Sequence, residues 1–218
     1  MNKEQIILNT IDFVKETLEG AEGGHDWFHI ERVYKNALLI SENEKVDRFI
    51  VQLGALLHDI ADAKFYNGDE SIGPKKAREF LKKQYVDEDI IIHIENIILF
   101  ISYKSSLDTS KKFTSPELDV IQDADRLDAI GAIGIARCFN YGGFKNRSLY
   151  DPAIEPNLEM TKEQYKKSTT PTINHFYEKL LLLKDKMNTK TGQLLAKERH
   201  RYMEGFLQQF YEEWNGVK

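Results

Sequence analysis

Cysteine and long apolar runs are scarce in this sequence, and each scarcity excludes a class of structure. The 218 residues include one cysteine, Cys138, so no internal disulfide can form, which favours a reducing compartment. No apolar stretch approaches the roughly 20 residues of a membrane-spanning helix, and no charged start leads into an apolar signal segment. We therefore expect a cytoplasmic protein with no membrane as a partner.

The chain also has no excess of positively charged residues. The chain has 30 Lys and Arg against 35 Asp and Glu, which gives a formal net charge of -5. Proteins that hold nucleic-acid polymers or anionic membranes generally carry a basic surface, and this composition provides none overall. We expect no nucleic-acid polymer as a partner. A small group of cations in one pocket remains compatible with this charge balance.

The hydrophobic pattern is helical throughout. Apolar residues recur at intervals of three and four, the period of an α-helix, and no alternating strand pattern is sustained. With 41% hydrophobic residues, the chain can bury one sizeable core. Repeats, low-complexity tracts and a convincing linker are all missing from it. The sequence therefore predicts a single all-α domain.

Capping residues and helix breakers place the helix boundaries. A central, buried helix is expected from Asp47 to about Ile60, because its apolar residues leave little polar surface. A longer helix should run from Ser115 to about Asn140, followed by a loop up to Met160. The other predicted helices cover about 3–19, a segment after Asp26, 74–84, 87–102, a short segment at 161–164, a segment after Pro171, and 191–215.

The dipeptide His58-Asp59 ends the apolar central helix, and a carboxylate in such a run needs an explanation. Burying a carboxylate costs several kcal/mol unless a charge or hydrogen bonds compensate it. A divalent cation would supply that charge, because imidazole and carboxylate are ordinary ligands for it. The alternative is that His58 is a hydrogen-bonded core residue and Asp59 a polar residue at a helix end.

Two further residues favour the metal interpretation. His29 borders the apolar face of the helix after Asp26, and Asp125 follows Ile121 at helical spacing, so both point toward the core. Two imidazoles and two carboxylates would neutralise a divalent cation and fill four of six octahedral positions. The two open positions would suit a water and a substrate oxygen, the arrangement of a hydrolytic metal site.

The surroundings of these four residues resemble a known family. The matching segments are Gly24-His25-Asp26-Trp27-Phe28-His29, Leu57-His58-Asp59-Ile60 and Gln122-Asp123-Ala124-Asp125-Arg126. Together they resemble the HD-domain superfamily of metal-dependent phosphohydrolases, and within it the small bacterial single-domain group. The resemblance spans about residues 20–150. It implies an HD-domain helical bundle in which residues 1–218 form one domain, with the helices of 160–216 packed on the core as a C-terminal extension.

The resemblance also implies roles for individual residues. His29, His58, Asp59 and Asp125 are the expected metal ligands. Asp62 stands where several nucleotide-cleaving relatives place a catalytic carboxylate, which would orient or deprotonate the attacking water. The alternative is an ordinary surface residue at a helix end.

Three loop cations complete the predicted site. Lys64, Lys104 and Arg147 are candidates for binding phosphate oxygens of a substrate. Loop cations are commonly just solvated, and that alternative stays open for each of them.

One position departs from the family pattern. Many relatives have a histidine near Ile101-Ser102, and two-metal members of the superfamily use additional histidines, whereas this chain has Ile101-Ser102-Tyr103. We therefore expect one divalent ion, which the N/O ligand set leaves open as Mn, Mg, Co, Ni or Fe.

The expected activity is hydrolysis of a phosphorylated small molecule, most simply a nucleotide. The first hypothesis is cleavage of a nucleoside triphosphate to monophosphate and pyrophosphate. The alternatives are a 5′-nucleotidase acting on nucleoside monophosphates, a non-catalytic HD fold that senses a nucleotide, and a purely structural helical module. The preferred base and sugar, and whether the chain forms a homodimer, stay open.

Overall fold

The structure is a computed structural model of the chain, and it describes residues 2–20, 26–61, 69, 71–101, 113–160 and 168–218. Within these residues all regular secondary structure is helical, which confirms the all-α prediction. The short helix expected at 161–164 lies outside the described residues.

The chain divides into two compact units, residues 1–125 and 126–218. The prediction that all 218 residues form one domain stays a prediction. The helices are α1 (Lys3–Thr17), α2 (Trp27–Ser41), α3 (Arg48–Leu57), α4 (Ile72–Lys83), α5 (Glu88–Phe100), α6 (Pro116–Asp128), α7 (Gly131–Phe144), α8 (Asn174–Glu178), a 3-10 helix (Leu180–Lys186) and α9 (Lys190–Trp214).

Helix α3 is the centre of the first unit. It packs against α1, α2 and α5, and α4 packs against α5 in turn. Leu53, Leu56 and Leu57 on α3 are fully buried, as its apolar composition predicts. The carboxylate of Asp47 caps the helix by accepting a hydrogen bond from the backbone N–H of Phe49 at 2.8 Å.

The helix expected from Ser115 to Asn140 is in fact two helices, so that prediction was wrong. Helix α6 ends at Asp128 and α7 begins at Gly131. The φ of Gly131 is +73°, a backbone conformation that glycine adopts with little strain. A Cβ at Gly134 would lie 2.3 Å from the carbonyl oxygen of Ala129, so this turn also requires glycine there. Helix α7 then extends to Phe144, which shortens the expected loop.

Helix α9 packs against α7 and the 3-10 helix in the second unit. An aromatic cluster lies at its centre: Phe206 stacks on Phe176 at a centroid distance of 5.9 Å and meets Phe139 at 5.8 Å. Burial raises the pKa of the Cys138 thiol on α7 to about 12, so the sole cysteine is protonated at neutral pH.

His175 on α8 gives the second unit a predicted pH dependence. Burial, followed by the charges of Lys179 and Arg147, lowers its pKa from 6.5 to about 4. Because the unfolded chain takes up this proton first, stability is present above about pH 6.5 and is lost as the pH falls towards 4. We expect this one group to lower the free energy of unfolding by about 2 kcal/mol between pH 7.5 and 5.

Urea denaturation of the wild type and of His175→Gln at both pH values measures this effect. The variant lacks the titrating ring, so its stability should fall by about 2 kcal/mol less than that of the wild type over the same interval. An equal fall in both proteins would show that His175 does not titrate in this window.

Candidate metal centre

His29 is held in the first turn of α2 by the residue that caps the helix. The Asp26 carboxylate accepts a hydrogen bond from the backbone N–H of His29 at 2.9 Å, which confirms Asp26 as the N-cap. The His29 side chain is then turned inward and is only 4% exposed. The cap bond fixes the backbone position from which the His29 ring projects.

His58 lies at the end of α3. The helix stops at Leu57 instead of continuing to about Ile60 as predicted, and His58 occupies the C-cap position. The Nδ1 atom of its ring lies 2.9 Å from the Ala55 carbonyl oxygen, which can only accept a hydrogen bond. Nδ1 therefore carries the proton, and the lone pair of the neutral ring is on Nε2. This tautomer leaves Nε2 available as a ligand atom.

Asp125 projects from α6 toward the two histidines. Its Oδ1 atom lies 3.5 Å from Nε2 of His29, and its side chain is 44% exposed whereas His29 is buried. Asn36, two turns after His29 on α2, donates a hydrogen bond from its side chain to the Ala124 carbonyl at 3.2 Å. That bond ties α2 to α6 beside the site. Sequence reasoning missed Asn36, although its spacing of seven residues from His29 places it on the same helix face.

The three side chains form one cluster. Ligand atoms of His29, His58 and Asp125 all lie within 4.8 Å of one another, and the two imidazole rings are 5.5 Å apart between centroids. Atoms that bind one ion at about 2.1 Å are separated by up to about 4.2 Å, so this spacing is close to that of a metal site. Two neutral nitrogens and one carboxylate suit a first-row divalent ion.

Of the predicted site residues outside this cluster, the structure describes some and not others. Asp59 follows His58 directly and is half-buried, but it is not part of the three-residue cluster, so its role as a ligand stays a prediction. Asp62, Lys64 and Lys104 lie outside the described residues.

Arg147 is described, and it makes contacts within the second unit. Its guanidinium donates a hydrogen bond to the Ser168 carbonyl at 2.7 Å and lies over the Tyr141 ring, 5.6 Å from the centroid. Its predicted contact with phosphate stays a prediction.

Comparison with known proteins agrees with the geometry. The HD domain family model matches residues 27–130, a range that contains His29, His58 and Asp125. The chain belongs to the HD-domain superfamily.

Similar proteins cover almost the whole chain. The uncharacterised protein YpgQ of Bacillus subtilis is 36% identical over 212 residues, 94% of this chain and 92% of its own length. The crystal structure of an HD-superfamily hydrolase from Bacillus thuringiensis is 46% identical, with a TM-score of 0.79, and covers 98% of this chain and 99% of that one. The crystal structure of YpgQ in complex with ADP is 34% identical, with a TM-score of 0.75, and covers 98% and 97%. These neighbours support a hydrolase.

None of the helices in the described residues combines the length and the hydropathy that crossing a membrane requires.

Proposed function

We propose that this protein is a metal-dependent phosphohydrolase that converts nucleoside triphosphates or deoxynucleoside triphosphates to monophosphates and pyrophosphate. The observation that carries the proposal is the cluster of His29, His58 and Asp125, two buried imidazoles beside a half-exposed carboxylate. Such a centre holds an ion at a surface that a substrate can reach. Membership of the HD superfamily and the ADP complex of YpgQ support a nucleotide substrate.

The donor set fits one divalent ion, and we propose Asp59 as its fourth protein ligand. When bound, this ion would supply positive charge against the phosphate oxygens and lower the pKa of water. The chain itself contributes orientation: Ala55 fixes the tautomer of His58, and Asp26 fixes the backbone of His29. Ile101, at the C-cap of α5, carries no ligand atom on its side chain, which supports a single ion.

The remaining roles come from the sequence. Asp62 would accept the proton of the water whose oxygen attacks the α-phosphorus. The bond from that phosphorus to the bridging oxygen then breaks, and pyrophosphate leaves with the bonding electrons. Lys64, Lys104 and Arg147 would bind phosphate oxygens and offset the charge that builds up on the leaving group.

The test is a product assay on protein purified without chelators. Nucleoside triphosphates, deoxynucleoside triphosphates and monophosphates are each incubated with Mn²⁺, Mg²⁺, Co²⁺ or Ni²⁺ in ¹⁸O-labelled water. We expect pyrophosphate and a monophosphate that carries the ¹⁸O, because attack at the α-phosphorus places the water oxygen there. Mass spectrometry of both products reads the label.

Other products would indicate a different reaction or function. Label in pyrophosphate would mean that the β-phosphorus is attacked. Orthophosphate from nucleoside monophosphates alone would identify a 5′-nucleotidase. Nucleotide binding without any product in all metals would identify a sensor.

A further inference from the structure

The second unit contains a groove of about 550 Å³ that the proposed hydrolysis does not use. One side is formed by the segment from Tyr150 to Leu158, and the other by α8, the 3-10 helix and α9. A pocket of this size suits a small organic molecule.

The segment that forms the first side is held in place. Asn174, itself buried, donates a side-chain hydrogen bond to the Ile154 carbonyl at 2.9 Å. The backbone N–H of Asn157 donates to the Glu178 carboxylate at 3.2 Å. Because both bonds anchor the segment to α8, the groove is already formed, and a ligand need not order this wall on binding.

Aromatic rings form much of the lining. Tyr150 meets the ring of Tyr211 edge-on at a centroid distance of 5.4 Å and that of Trp214 at 5.0 Å. Burial raises the pKa of the Tyr211 hydroxyl, and its hydrogen bond with Tyr177 raises it further. Tyr211 is therefore uncharged at neutral pH, and the faces of aromatic rings attract cations.

The charge of the groove has one sign. Asp151 and Glu155 are among its lining residues, and the described lining includes no Lys or Arg. The Glu155 carboxylate is close enough to the Tyr211 hydroxyl to raise the pKa of that group. Beside these groups lie exposed apolar side chains, of which Leu158 is 68% exposed. Negative charge, aromatic rings and apolar surface are thus adjacent.

We propose that this groove binds an organic cation, an ammonium or guanidinium group carried on an apolar body. The cation would lie against the tyrosine rings and near Glu155, where ring attraction and the carboxylate act on the same charge. The apolar body would cover Leu158 and the apolar residues next to it.

The first experiment compares three aromatic probes of different charge by isothermal titration calorimetry. They are benzyltrimethylammonium, neutral benzyl alcohol and the benzoate anion, each titrated into the full-length protein. We expect the cation to bind about 10-fold more tightly than the neutral probe, and the anion to bind least well. Equal affinity of the three probes, or no binding of the cation at concentrations up to about 10 mM, would overturn the proposal.

Variants then locate the binding. Glu155→Gln should weaken binding of benzyltrimethylammonium about 3- to 10-fold. Glu159→Gln is the matched control, because Glu159 is an exposed carboxylate that directly follows this segment and lies outside the lining, and it should leave affinity unchanged. Equal affinities for both variants would place the cation elsewhere and refute the assignment. Sedimentation velocity of the wild type and Leu158→Glu tests for a second copy in the groove, and a dimer lost in the variant would also refute it.

Discussion

Asp125→Asn is expected to deplete the protein of divalent metal and to lower hydrolysis of nucleoside triphosphate by at least about 100-fold. In the cluster with His29 and His58, Asp125 is the only carboxylate that could bind the ion. Asparagine keeps the size of the side chain but removes the negative charge that offsets the ion. A neutral amide oxygen is a poor substitute beside two neutral imidazoles.

Metal content measured by mass spectrometry and steady-state hydrolysis under the same conditions test this prediction. Asp119→Asn is the matched control, because Asp119 lies on the same helix, α6, and its carboxylate is not part of the cluster. The control should keep both metal and activity. If Asp125→Asn retained a full equivalent of metal, Asp125 would not be a ligand, and the proposed centre would need another carboxylate.

Structural roles that depend on contacts within one helix could be predicted well from the sequence. Asp26 and Asp47 are caps because their side chains reach backbone N–H groups only two or three residues away. Local spacing also predicts that His29 and Asp125 face the core, whereas the resemblance to the HD-domain superfamily implied that they meet His58 at one site. The cap assignments needed no knowledge of how the chain returns on itself.

Features that depend on distant contacts could not be predicted in this way. The apolar pattern continues from α6 into α7 without interruption, and the turn between them depends on Gly131, over which the Arg199 side chain packs. A Cβ at Gly131 would lie 3.0 Å from that side chain, a constraint that local spacing does not reveal. The groove likewise depends on contacts such as that between Asn174 and Ile154.

Gly54→Ala is the second large effect that we expect, with a loss of about 2 kcal/mol in the free energy of unfolding. A Cβ at Gly54 would lie 2.5 Å from Cδ1 of Ile121 and 3.3 Å from Cδ1 of Ile97. Both isoleucines are fully buried, so neither methyl group can move into solvent. The added methyl must displace the Ile121 side chain within the core or force α3 away from its neighbours, at a cost that exceeds the gain of about 1 kcal/mol from helix propensity.

Gly205→Ala separates these two contributions. Gly205 lies within α9, and a Cβ there would meet nothing within 4 Å. This control should gain about 1 kcal/mol from helix propensity alone, so the two alanine variants should differ by about 3 kcal/mol in urea denaturation. Two alanine variants of equal stability would show that α3 accommodates the methyl group without strain.

The double variant Gly54→Ala/Ile121→Val tests the contact itself. Valine lacks the Cδ1 atom that the new methyl would strike, so Ile121→Val should cost about 1 kcal/mol alone but stabilise the Gly54→Ala background.

The same pair of substitutions should affect the metal centre. His58 lies four residues after Gly54 and Asp125 four residues after Ile121, so each proposed ligand is one turn beyond the contact between α3 and α6. We therefore expect Gly54→Ala to weaken metal binding about 10-fold, and the double variant to restore it, because close packing at Gly54 keeps His58 within reach of Asp125.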